Sequence, residues 1–111
     1  MPKYLFFGSY TPQAWGHMID SPEDRSKAAR DACEAVGGKV DTFYWVFGPD
    51  DFMVIADLPD DLAAGAVSVG VSSGGAVTDV KTIKLITMDE GRKMLEKAQQ
   101  VKKRYQPVGA H

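Results

Sequence analysis

The sequence predicts a single α+β domain in which one antiparallel sheet is covered on both faces. Residues 43–47 and 52–56 form two apolar segments separated by a tight turn. Neither segment alternates apolar and polar residues, as the strands of a sheet with one solvated face do. The chain has 111 residues, of which 25% are charged and 44% are hydrophobic. This length and composition are typical of one soluble globular domain, so residues 1–111 are treated as one unit.

The N-terminal half begins with a strand and a helix. Alternation predicts a strand over residues 4–10, with Tyr4, Phe6 and Tyr10 on one face and Leu5 and Phe7 on the other. A turn or short helix is expected over residues 11–17. A longer helix is then predicted to begin at residues 21–24, with a serine N-cap, a proline in the first helical position and acidic residues in the first turn. Its buried stripe comprises Ala28, Ala29, Ala32, Cys33 and Val36, and two glycines at 37–38 end it.

The second half supplies three more strands and two more helices. Strands are predicted over residues 39–47 and 52–57, joined by the turn 48–51. A second helix begins at residues 59–61 and ends at the glycines 74–75. The fourth strand covers residues 77–86, and a break in its apolar register predicts a bulge near Thr82 and Ile83. Thr87 and Glu90 form a capping box for the last helix, whose stripe comprises Met94, Leu95, Ala98 and Val101.

This order of elements predicts the split βαβ arrangement of ferredoxin-like folds, with an extra C-terminal helix. In that arrangement two helices cover one face of a four-stranded antiparallel sheet. The other face would be apolar and open in a monomer, and such a patch rarely stays exposed to water. The simplest cover is a second copy packed sheet to sheet, which would form a dimeric α/β barrel. We therefore expect a homodimer or a higher homo-oligomer.

Charge and composition exclude several classes of partner. The formal net charge is −2, and the basic run 102–104 is explained by the negative end of a helix dipole, so nucleic-acid binding is not expected. The uncharged segment 62–78 is too short and too rich in glycine for a membrane helix. Cys33 is the one cysteine, which excludes an internal disulfide and fits a reducing compartment. Because the chain enters a strand at once, no signal peptide is expected, and the predicted location is the cytoplasm.

The sequence predicts neither a metal site nor a cofactor site. It contains no HExxH or CxxC spacing. The glycines 74–75 lack the spacing and the lysine of a phosphate-binding loop. His111 lies at the extreme C-terminus, where disorder is expected.

An ordered set of short motifs suggests a family. The set comprises Tyr-Thr-Pro at 10–12, Ser-Pro-Glu-Asp-Arg at 21–25, Phe-Tyr-Trp at 43–45, Gly-Pro-Asp-Asp at 48–51, Leu-Pro-Asp-Asp at 58–61 and Leu-Ile-Thr at 85–87. On these motifs the chain resembles the GYD-domain proteins over roughly residues 4–95. The resemblance implies a small dimeric α/β-barrel fold and no firmly assigned reaction. The turn departs from the family pattern, because Asp50 stands where an aromatic or similar residue precedes the final acid, Asp51.

Three residues are candidates for catalysis. Asp51 follows the turn at the mouth of an aromatic strand pair, where a carboxylate could act as a general base. It could equally cap the turn through backbone amides. His17 follows Tyr10 and Trp15 in the connection after the first strand, where an imidazole could act as the proton acceptor, or it is an exposed loop histidine. Tyr10 would serve as the hydrogen-bond partner of the proton acceptor.

Aromatic side chains are candidates for a ligand pocket. Trp15, Tyr44, Trp45 and Phe6 could line a cavity for a small apolar or aromatic molecule, or they could belong only to the core and an interface. Three functions follow: a small-molecule-binding domain, a cofactor-independent oxygenase or isomerase, and a structural or interaction module without a pocket. The first is the leading interpretation.

Overall fold

The computed structural model describes residues 1–109 and confirms the α+β, ferredoxin-like fold. The expectation for His111 lies outside the described residues. All neighbouring strands are antiparallel, and their order in the sheet is β2-β3-β1-β4. Within residues 1–109, no helix is long and apolar enough to cross a membrane. In chain order the elements are β1 (Lys3–Tyr10), α1 (Pro12–Asp20), α2 (Ser26–Glu34), β2 (Lys39–Trp45), β3 (Phe52–Asp57), α3 (Asp61–Ser72), β4 (Val77–Leu85) and α4 (Met88–Arg104).

The core lies between the sheet and the helices α2 and α3. Alternate residues of the two central strands are buried on this side, as the alternation in β1 predicts. Cys33 of α2 and Leu58, just after β3, are the largest fully buried side chains. The buried set is completed by Tyr4, Phe6, Tyr10, Phe52, Val54, Ala56, Ala64 and Val67.

A hydrogen bond joins the sheet to the start of α3. The Tyr4 hydroxyl donates to the Asp61 carboxylate, and Lys84 Nζ lies 3.3 Å from the same carboxylate. The hydrogen bond to Asp61 raises the pKa of Tyr4 to about 12. The same hydrogen bond, followed by the contact with Lys84, lowers the pKa of Asp61.

The opposite side of the sheet is apolar, and no helix of the described residues packs on it. We call this side the open face. Strand register assigns its members, because partners in an antiparallel pair point to the same side. Leu5 pairs with Ile55 and Ile83, Phe7 pairs with Met53, and Met53 pairs with Tyr44. The open face therefore comprises the apolar residues Leu5, Phe7, Tyr44, Met53, Ile55 and Ile83, together with Thr42 and Lys81, which pair with Ile55 and Phe7.

The predicted helix start at Ser21 is wrong. The N-cap of α1 is Thr11, whose Oγ1 accepts a hydrogen bond from the Ala14 amide at 3.2 Å. Helix α2 begins later, at Ser26, and Asp24 rather than Ser21 supplies an oxygen to its first amide, at 2.9 Å. The sequence contains two Ser/Thr-Pro signals ten residues apart, and the first one starts a helix.

The predicted bulge in β4 exists at a different position. Phe7 pairs with Lys81 but Ser9 pairs with Thr78, so β4 holds one extra residue between these pairs. Asp79 lies in this interval with a φ of 60°, the left-handed conformation that a bulge accommodates. The bulge therefore lies at Asp79 and Val80 and not at Thr82 and Ile83.

Helix α4 projects from the body of the domain. The predicted capping box is present, because Thr87 Oγ1 accepts from the Glu90 amide and Glu90 accepts from the Thr87 amide. Every residue of α4 except Gly91 is exposed. The radius of gyration is 18.2 Å, compared with about 13 Å for a compact chain of this length, and the longest dimension is 65 Å. This elongation reflects a helix whose side chains are exposed along almost its whole length.

Candidate functional site

An aromatic cluster lies where β1, α1 and β2 meet. The Tyr10 ring packs edge-on against Trp15 at a centroid distance of 5.1 Å and against Trp45 at 5.9 Å. Trp15 and Trp45 contact each other at 5.4 Å, and Phe52 adjoins Tyr10 at 5.3 Å. The Tyr10 hydroxyl accepts a hydrogen bond from Trp45 Nε1 at 3.0 Å. These contacts fix the Tyr10 ring in one orientation.

An apolar cavity of about 100 Å³ lies beside this cluster, between the sheet and the helices α2 and α3. Phe6, Phe43 and Phe52 of the sheet form its floor. Helix α2 faces it with small side chains, including Ala29 and Ala32, which leave the space unfilled. A cavity of about 150 Å³ lined by aliphatic and aromatic groups accepts benzene. This cavity has about two thirds of that volume, which limits the part of a ligand inside it to one small ring or a short aliphatic chain. Its other lining residues are Tyr10, Arg25, Ala28, Cys33, Val54, Val67, Ser68, Val71, Val77 and Val80.

A surface depression of about 280 Å³ adjoins the cavity. Tyr10 and Arg25 line both spaces and therefore form the partition between them. His17 and Glu23 lie on the outer side of this partition. The Arg25 guanidinium forms an ion pair with Glu23 at 2.8 Å, and both side chains remain partly exposed. The apolar cavity thus has a polar rim.

Burial determines the protonation of two groups that line the cavity. Burial raises the pKa of Tyr10, and this effect exceeds the opposing effects of the Trp45 indole N–H and the Arg25 guanidinium. Tyr10 is therefore a neutral phenol at neutral pH, with its own proton free to donate. Burial also raises the pKa of the Cys33 thiol. Cys33 is accordingly a small apolar wall residue in its neutral form.

Asp51 connects the turn after β2 to the central strand β1. Its carboxylate Oδ2 accepts a hydrogen bond from the Tyr10 amide at 2.9 Å. Its own amide donates to the Gly8 carbonyl, and its carbonyl accepts from the Val46 amide, both at 2.9 Å. The side chain is half-buried. Asp51 therefore holds three backbone segments together, with its carboxylate bound to β1 and not to a local amide of the turn, and its role as a base stays a prediction.

The structure brings together some of the predicted site residues and separates others. Tyr10, Trp15 and Trp45 form one cluster, and Phe6 lies in the cavity wall. His17 is exposed on α1 and reaches only the outer depression. Tyr44 belongs to the open face, 63% exposed, on the far side of the sheet from the cavity.

Sequence reasoning missed two contributors to the site. Arg25 precedes α2 and lines both spaces, although nothing in its local sequence marks it as a site residue. Helix α2 presents alanines to a sheet face rich in phenylalanine, and this was interpreted as plain core. The pairing of small helix residues with an aromatic strand face was the available signal, because small side chains over large rings leave voids unless the helix moves closer. Within residues 1–109, no three His, Cys, Asp or Glu side chains are grouped as metal ligands.

Comparison with known proteins gives one family match. A model described as the GYD domain matches residues 4–95, from the first residues of β1 to the middle of α4. No curated protein matches the chain. The match covers more than four fifths of the sequence and includes every element that lines the cavity.

Proposed function

The chain belongs to the GYD domain family, and from the geometry of its cavity we propose that it binds a small apolar or aromatic molecule between the sheet and α2–α3. The observation that supports this proposal is the apolar space of about 100 Å³ beneath Tyr10. A purely structural module has no use for such a space, because unfilled volume in a core lowers stability.

The rim indicates how a ligand would be oriented. An apolar ring or short chain would enter the cavity between Phe52 and the alanines of α2. A polar substituent would remain at the partition, where the Tyr10 hydroxyl can donate and Arg25 is the one charged residue among the described lining residues. The adjoining depression of about 280 Å³ offers room for a larger substituent, since ligand pockets usually occupy about 300–1,000 Å³.

Toluene and benzoate test this proposal directly. Both carry one ring, and benzoate adds an acceptor for Arg25 and Tyr10. Ligand at about 100 times its Kd should raise the free energy of unfolding by about 2.7 kcal/mol and shift the melting temperature accordingly. Trp15 and Trp45 adjoin Tyr10 and provide a fluorescence signal. If neither compound changes the melting temperature or the fluorescence at millimolar concentration, the binding proposal is wrong.

Arg25→Gln tests whether the charge at the rim contributes to ligand binding. It removes the charge but keeps a polar side chain of similar length, at a position that is partly exposed. Benzoate should bind this variant more weakly than the wild type, whereas toluene should bind both equally. Equal loss of both ligands would show that the substitution alters the cavity itself.

We also propose that the protein forms a homodimer, in which the open faces of two copies pack together as in a dimeric α/β barrel. This face carries Leu5, Phe7, Met53 and Ile55 with no helix of the described residues over it, and apolar patches of this kind mark interfaces. Ile55→Glu should convert the dimer into a monomer in light scattering, whereas Lys27→Glu, exposed on α2 and away from the open face, serves as the charged control. The single thiol, free and buried, suits a reducing compartment, so we propose a cytoplasmic location that cell fractionation would test.

Cofactor-independent oxygenation or isomerisation is the second candidate function. It needs an ionisable side chain in contact with the bound molecule. Tyr10 meets this requirement, since it lines the cavity as a neutral phenol. Proton acceptance by Asp51 or His17 stays a prediction. Hydrogen–deuterium exchange at an acidic carbon of a bound ligand, compared between wild type and Tyr10→Phe, would test it.

A further inference from the structure

Helix α4 carries an apolar stripe that nothing in the described chain covers. Its 17 residues make a rod about 25 Å long. Met94 is 54% exposed, Leu95 65% and Val101 63%. Residues that share this side recur at intervals of three and four, the spacing of a seam between paired helices. The exposed stripe comprises Met94, Leu95, Ala98 and Val101; Tyr105 follows directly after α4, and Gly91, on the same side of the helix, is buried.

A helix of this kind requires a partner in water. Isolated helices shorter than about 12–15 residues are marginal, and α4, with 17 residues, exceeds that length by little. Most helices in proteins are stabilised by packing of their apolar side. The capping box at Thr87 fixes where α4 begins but contributes nothing to the exposed stripe. An amphipathic helix therefore needs an apolar surface along its length.

Size complementarity along the stripe points to a second α4 running in the opposite direction. If two copies cross at Ala98, Leu95 of one helix lies opposite Val101 of the other, on both sides of the crossing. Leucine then packs on valine, and alanine faces alanine at the crossing, where small residues allow close approach. The stripe is thus self-complementary in one direction, as a two-fold symmetric interface requires.

Charge supports the same direction. Residues 88–96 contain two basic and three acidic side chains, a net charge of −1, whereas residues 97–104 contain four basic side chains and no acidic one. A parallel pair would place two ends of charge +4 side by side, at a cost in electrostatic repulsion. An antiparallel pair places the basic end beside the acidic end and also aligns the helix dipoles favourably.

Exposed apolar residues also connect the open face to the stripe along the chain. Ile83 of the open face is followed along the chain by Ile86 and Met88, which are 48% and 85% exposed. Four strands about 4.8 Å apart and about seven residues long give the open face a projected area of roughly 440 Å². Stable interfaces bury about 800 Å² per partner, so the open face alone is small for a dimer, and α4 adds area.

We propose that α4 pairs antiparallel with the α4 of a second copy, with Ala98 next to the two-fold axis. This proposal rests on the association of two copies through their apolar surfaces and is independent of ligand binding. It assigns a role to residues 96–104, which lie beyond the part of the chain that matches the family model.

Single cysteine substitutions in the full-length chain test the direction of pairing. Ala98→Cys should shift most of the protein to a disulfide-linked dimer on mild oxidation, because the two thiols meet at the axis. Tyr105→Cys should not link to itself, since its two copies would lie about 21 Å apart along the helices. A mixture of Leu95→Cys and Val101→Cys chains, one of them carrying a mass tag, should give the mixed dimer. Cys33 is buried and does not compete.

Gln100→Cys is the control, because its side chain lies on the polar side of α4. It should stay monomeric on non-reducing gels. Linkage of Tyr105→Cys to itself would show parallel helices, and absence of linkage at Ala98 would show that the helices do not pair, so either result overturns the proposal. Failure of the open-face proposal is distinguishable, because Ile55→Glu would then leave the mass in light scattering unchanged whatever Ala98→Cys does.

Discussion

Filling the cavity with a larger side chain should stabilise the domain. Ala32→Leu adds three carbon atoms from α2 into the space above Phe6 and Phe52. Each buried carbon contributes about 0.8 kcal/mol, and fixing the leucine side chain costs about 0.5–1 kcal/mol, which leaves a gain of about 1.5 kcal/mol. With an unfolding entropy of about 2.1 cal/mol/K per residue over 111 residues, the melting temperature should rise by about 6 °C. Differential scanning calorimetry measures this shift.

The sign of the change in melting temperature decides whether the cavity is empty. If the space is already filled, the added carbons overpack the core and the free energy of unfolding falls by about 1–3 kcal/mol. A lower melting temperature for Ala32→Leu would therefore refute the cavity and, with it, the binding proposal. Ala35→Leu is the matched control, since Ala35 is exposed at the end of the same helix and should change the free energy of unfolding by less than about 0.5 kcal/mol. Ala32→Leu should also abolish the response to toluene.

Three further changes test individual contacts. Asp51→Ala should lower the free energy of unfolding by about 1–3 kcal/mol in urea titrations, because the half-buried Tyr10 amide loses its acceptor, whereas Asp51→Asn keeps a carbonyl and should lose less; equal losses would contradict this role. Gly8→Ala would place a methyl group 2.5 Å from the Phe52 ring, so calorimetry should show a loss of about 1–3 kcal/mol, and an unchanged melting temperature would show that the ring moves freely. Tyr4 has a pKa raised from 10.0 to about 12 by its carboxylate partner, so its contribution is complete below pH 10 and is lost as the pH rises towards 12; the urea midpoint of Tyr4→Phe should fall less steeply across this range, and parallel curves would contradict the hydrogen bond.

Local patterns predicted the elements of this fold well. The alternation in β1 assigned Tyr4, Phe6 and Tyr10 to the buried side, and the Thr87–Glu90 pair located the start of α4. Both signals depend on residues a few positions apart. The start of α2 was predicted wrongly because two equivalent cap-and-proline signals compete, and local sequence does not rank them.

The site is formed by contacts between residues far apart in the sequence, and it was therefore predicted only in part. The Asp51–Tyr10 hydrogen bond spans 41 positions, and the bulge in β4 is defined by pairing with β1. The aromatic members of the cluster were predicted because their residue types are distinctive. The cavity was not located, because a void is a property of the distance between a helix and a sheet and not of any residue. Arg25 was missed for the same reason.

The Asp51–Tyr10 hydrogen bond has a thermodynamic consequence for the molecule as a whole. The carboxylate at the turn holds the backbone of the residue whose ring divides the cavity from the outer depression. Coupling free energies are reciprocal. If a ligand in the cavity changes the affinity of the turn for a second molecule by some factor, that second molecule changes the affinity of the cavity for the ligand by the same factor. The turn 48–51 is thus linked by one hydrogen bond to the residue that divides the cavity from the surface.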